Sequence, residues 1–85
     1  MARHYETFRL QRAVLNVLDT HCPVDIKWVD LDMPSGRHRV TVTVDHLVED
    51  RSWVSNLNHA LSLLGWEYVQ TVEHGFVTML VYRLK

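Results

Sequence analysis

The sequence predicts an α+β domain of order α-ββ-α-ββ, and three observations carry that prediction. Apolar residues recur every three or four positions in two stretches, residues 3–21 and 52–64, which is the signature of an amphipathic helix. Residues 37–47 alternate strictly between apolar and polar, as a half-buried strand does. Gly75 sits between two apolar runs and marks a hairpin turn. The simplest closure is a four-stranded, mostly antiparallel sheet with both helices on one face, formed by residues 1–85 as a single domain.

In the first helix Leu10, Ala13, Val14, Val17, Leu18 and His21 form an apolar stripe, widened by Phe8 and Leu15. Tyr5, Arg9, Arg12 and Asn16 make the wet face, and Pro23 stops the helix because its ring cannot continue the hydrogen-bond ladder. Residues 24–33 follow as a strand whose apolar phase changes near Trp28-Val29, which predicts a bulge there. Met33-Pro34-Ser35-Gly36 reads as a turn. In the next strand Val40, Val42 and Val44 face inward, while Arg39, Thr41, Thr43 and Asp45 face out.

Glu49-Asp50-Arg51-Ser52 supplies helix-start chemistry, with Asp50 or Ser52 accepting from the first free N–H groups. Trp53, Leu57, Ala60, Leu61 and Leu64 form the buried stripe of the second helix, and Gly65 ends it. For the last hairpin a three-residue loop, Glu73-His74-Gly75 with Gly75 as bulge residue, is expected. That register puts Trp66, Tyr68, Gln70, Val72, Phe76, Thr78, Leu80 and Tyr82 on one face, and Val69, Val77, Met79 and Val81 on the other. Both faces are largely apolar, so two helices on one side leave the other in need of a cover.

Composition narrows the function classes. A chain of 85 residues buries only about 60–65% of the surface its unfolded form exposes, so the core is small. At 47% hydrophobic and 22% charged residues the chain is ordinary globular protein and not a disordered one. The formal charge of −1 gives no overall pull toward nucleic acid or an anionic membrane. Cys22 is the single cysteine, which excludes an internal disulfide framework and fits the reducing cytoplasm. No apolar run reaches the roughly 20 residues that span a bilayer.

The segment Leu57-Asn58-His59-Ala60-Leu61-Ser62-Leu63-Leu64-Gly65-Trp66-Glu67-Tyr68-Val69, followed by a strand ending Val81-Tyr82-Arg83-Leu84-Lys85, resembles a family of short bacterial domains of unknown function. In those domains a leucine-rich helix runs into Gly-Trp-Glu and a strand that ends in basic residues. The resemblance covers residues 57–85 and implies a helix-to-hairpin layout but no chemistry. The order α-ββ-α-ββ is also similar to that of homing endonucleases, yet of their helix signature only the acid, Asp19, is present.

Candidate chemistry is sparse. The six histidines include no His-x-x-x-His pair, and His38 and His46 stand about 26 Å apart along a strand. Asp30 and Asp32 project from one strand face about 6–7 Å apart and form the candidate magnesium site of a nuclease. Solubilising acids near a strand edge are the commoner meaning of such a pair. Cys22 beside His21 lacks an orienting acid, so an inert thiol is expected. Arg9, Arg12, Arg37 and Arg39 are the candidate nucleic-acid contacts, sparser than the basic stripe such proteins show.

The aromatic surplus of the last hairpin, Trp66, Tyr68, Phe76, Leu80 and Tyr82, is therefore the leading candidate site. The expectation is a non-enzymatic, cytoplasmic protein-binding module without cofactor. It would be a homodimer or an adaptor or inhibitor of a larger protein machine, of the kind that phages and mobile elements encode. The competing expectation is a nucleic-acid-binding protein.

Overall fold

The computed structural model describes residues 2–22, 26–45 and 52–85. The elements follow the expected order: α1 (Ala2–His21), β1 (Ile26–Asp32), β2 (Arg39–Asp45), α2 (Ser52–Leu63), β3 (Trp66–His74) and β4 (Val77–Leu84). All strand neighbours are antiparallel, and the sheet runs β1-β2-β4-β3. Pro23, Val24, Asp25, His46, Leu47, Glu49 and Asp50, to which the sequence assigns helix-stop, strand, histidine and capping roles, lie outside the described residues.

One core holds the layers together. Val40, Val42 and Val44 alternate onto a single face of β2 and are buried, with Leu80, Tyr82 and Trp66 beside them. Val14 and Leu18 of α1 and Trp53, Leu57 and Leu61 of α2 belong to the same cluster, so both helices cover that one face. Val14 and Leu18 are four residues apart, and Trp53, Leu57 and Leu61 repeat the same step, which is how a 3.6-residue helix keeps one stripe inward.

Four expectations are corrected. Phe8 is 62% exposed, because at 100° per residue it projects about 120° away from Val14 and misses the buried stripe. Leu64 is 46% exposed. The N–H groups of Leu64 and Gly65 donate to the carbonyls of Leu61 and Ser62, both at 3.0 Å. These three-residue bonds tighten the last turn and take Leu64 off the helical stripe. Gly65 follows at φ 95°, where a side chain would be strained.

The third correction concerns the bulge in β1. It is present, but the irregularity lies between Ile26 and Trp28, so Lys27 is the extra residue. Trp28 then faces away from the helices, while Val29 and Leu31 pack against the core.

The fourth is the register of the last hairpin. His74 pairs with Val77, so the loop is Gly75-Phe76 alone, not Glu73-His74-Gly75. Gly75 has φ 63° and Phe76 keeps a negative φ, the sign pattern of a type II′ turn, which suits the twist of the flanking strands. The extra residue reappears in β3, where the register shifts between Tyr68 and Gln70 and leaves Val69 as the bulge. Beyond that bulge every β3 side chain changes face, since side chains alternate with a period of two. Val72 pairs with Met79, and both point away from the helices.

Candidate protein-docking face

The five residues singled out from the sequence divide between core and surface. Trp66, Leu80 and Tyr82 are within 1% of complete burial beneath the chain's own helices. The Tyr82 hydroxyl donates to Asn58 Oδ1 of α2 at 2.6 Å, and its ring meets that of Tyr68 edge-on with centroids 5.8 Å apart. Burial pushes the Tyr82 phenol pKa well above its ordinary value. Tyr68 is half-exposed at the edge strand, its hydroxyl 2.5 Å from Thr71 Oγ1, and Phe76 is exposed at the hairpin tip. The hairpin's aromatic face is therefore mostly internal packing.

The uncovered surface is the reverse side of the sheet. Registers place its side chains in four parallel rows across the strands, in the order β1, β2, β4, β3. The first is Asp32, Arg39, Arg83 and Glu67, and the second Asp30, Thr41, Val81 and Gln70. The third is Trp28, Thr43, Met79 and Val72, and the fourth Asp45, Val77 and His74 on three strands. Trp28 is 57% exposed and the bulge residue Val69 is 46% exposed. Valines, methionine, threonines and one tryptophan thus make an apolar centre, with charge at the two ends.

The first row is internally paired. Arg39 donates from Nε to Asp32 Oδ1 at 3.0 Å and from Nη2 to Oδ2 at 2.5 Å, and Arg83 donates from Nη2 to Glu67 Oε1. The bidentate Asp32 carboxylate raises the Arg39 pKa. The hydrogen bond and charge of Arg83 hold the Glu67 carboxyl below the usual carboxylate range. All four groups are half-exposed, so these pairs position side chains more than they stabilise the fold.

The other candidates do not converge. Arg9 and Arg12 lie on α1 in the helix layer, whereas Arg39 lies on the opposite face of the sheet. Arg37 joins Arg39 and Arg83 around a shallow depression at the charged end of the open face. Asp30 and Asp32 do share that face, in adjacent rows, but Arg39 engages both oxygens of Asp32. Among the described residues no group of three or more His, Cys, Asp or Glu side chains is placed to hold a metal ion. Cys22 packs partly buried against the core, away from the two aspartates.

On the helix side a cavity of about 250 Å³ opens between Trp53, Val54, Val44 and Leu80. No described helix is long and apolar enough to cross a membrane. No family model, curated protein or solved structure matches the chain.

The sequence missed Trp28 and Val72 as surface residues because the face each one takes depends on a bulge. That Val77, Met79 and Val81 share one face was readable, since they alternate with Thr78, Leu80 and Tyr82 along β4, but the docking face expected from the sequence was the opposite one.

Proposed function

We propose that this chain is a non-enzymatic protein-binding module that docks a protein on the open face of its sheet. The observation that carries the reading is the one-sided cover. Both helices pack on the Val40, Val42 and Val44 side, while Trp28, Val69, Val72, Met79 and Val81 lie on the other, where no helix among the described residues covers them. An apolar patch rimmed by polar groups is the usual mark of an interaction site, and exposed tryptophan is enriched at the centres of interfaces.

Support for a role without catalysis comes from the separation of the reactive candidates: Cys22 lies in the helix layer, and Asp32 is clamped by Arg39. The arginines divided between two layers favour protein over nucleic acid as the partner. Chains of this size and kind act as adaptors or inhibitors of larger machines, an analogy at the level of class only. A single cysteine in the chain fits an encounter in the cytoplasm.

Photo-crosslinking tests the reading. A benzophenone amino acid at position 28 or 79 is expected to yield an adduct of defined mass in the native host, and the same probe at Asn56 on α2 is expected to yield none. Absence of adducts at both sheet positions overturns it.

A further inference from the structure

We infer that the occupant of the open face is a second copy of this chain, related by a two-fold axis that lies in the interface parallel to the rows, midway between the Thr41 row and the Thr43 row. The inference rests on the docking reading above and names its partner.

The argument is one of charge placement. A closed dimer with two-fold symmetry brings the same patch of both chains together, so the patch must complement itself. Two sheets packed face to face keep their strands roughly aligned, which leaves two families of in-plane axis, parallel to the strands or across them. An axis parallel to the strands lays β1 over β3 and β2 over β4. Arg39 then faces the partner's Arg83, and Asp32 faces its Glu67, so every contact in the charged row is between like charges.

An axis across the strands, between the second and third rows, has the opposite result. The first row now lies over the partner's fourth, which places Arg39 over Asp45 and Glu67 over His74, two pairs of opposite sign, while Arg83 lies over Val77. The second row lies over the third, so Val81 meets Met79 in the apolar centre, and Thr41 lies over the Trp28 and Met79 side chains that flank the buried Thr43. Asp30 falls over Trp28 on the outer strand, at the wet rim. Shifting the axis by one row toward the charged end stacks Asp30 against the partner's Asp32 and uncovers the third and fourth rows, so the central position is the one that uses the whole face.

The area is sufficient for a reversible dimer. Four strands about 4.8 Å apart and rows spread over about 25 Å give a face of about 500 Å² per copy in projection, near the lower bound for a specific interface once both copies and side-chain relief are counted. At a formal charge of −1 per chain, net repulsion between copies is slight.

A charge swap in the purified chain tests this by sedimentation and native mass spectrometry. The wild type is expected to dimerise with a Kd on the order of micromolar. Arg39→Asp places two acids over each other at both ends of the dimer, and Asp45→Arg places two bases there, so each variant alone is expected to weaken association by about tenfold or more. An equimolar mixture of the two restores both contacts and is expected to recover wild-type affinity as a heterodimer. A wild-type monomer at about 1 mM, where the expected dimer would be almost fully formed, overturns the inference. So do single variants that associate like wild type, and a mixture of folded variants that fails to associate.

Should either variant unfold, Val81→Asp decides the matter with Asn56→Asp as control: folded and monomeric supports the dimer, folded and dimeric overturns it. If the wild type is monomeric while the probe at position 28 captures a different protein, the docking reading stands and the second copy falls. If that probe captures nothing, both fall.

Discussion

Thr43 faces the uncovered side of the sheet and yet has no exposed area, and its Oγ1 has no hydrogen-bond partner. Its neighbours across the ladder are Trp28 on one side and Met79 on the other, two long side chains that shut out water above a short one. Burying a hydroxyl without a partner costs about 1–3 kcal/mol by the protein mutational scale, and valine has nearly the same shape. Thr43→Val is therefore expected to raise the unfolding free energy by about 1 kcal/mol, read from urea melts at low micromolar protein. Alternation along β2 marks Thr43 as outward in the sequence, and it is. That it is dry was not legible, because the position of Trp28 depends on which residue bulges in β1, and Lys27 and Trp28 are equally acceptable there to a reading of apolar phase.

The hairpin β3–β4 shows the same limit over a whole element. Glycine near position 75 was legible as the turn residue, and both a two-residue and a three-residue loop need a positive φ there. The glycine does not choose between them; the difference is one residue of register, which β3 absorbs at Val69. Leu80 and Tyr82 share one face of β4 in either register, but that face is the covered one and not the docking face expected of it, whereas Val72 changes side and joins the open surface. Nothing lies within 4 Å of where a Cβ would be added at Gly75, so the cost of a side chain is purely one of backbone conformation. Gly75→Ala is expected to destabilise by about 1 kcal/mol through its φ of 63°, measured as a lower Tm with an unchanged fold by NMR.

Across the whole molecule the order α-ββ-α-ββ and the two-layer arrangement followed from periodicity, while the strand order did not. β2 and β4 take the centre because they carry the denser apolar alternation, and the strands with more acids, Asp30 and Asp32 on β1 and Glu67 and Glu73 on β3, take the edges. One-sided cover also predicts an uneven response to mutation. Leu57→Ala opens the core and is expected to cost about 2–5 kcal/mol. Trp28→Ser together with Val69→Ser removes more apolar surface but, in a dilute monomer, is expected to cost only about 0.5–1 kcal/mol. Parallel denaturant titrations distinguish the two, and equal losses would mean that the sheet's outer side belongs to the folding core.

The Val69 bulge has a further effect, on polymerisation. As the outermost strand, β3 offers a row of backbone donors and acceptors to any passing chain, and an uninterrupted nine-residue ribbon would template strand after strand. An irregularity three residues from its start breaks that template and adds local twist, so a newcomer cannot bond along its full length. The same extra residue that turns Val72 toward the solvent thereby guards the sheet's margin against fibrous growth.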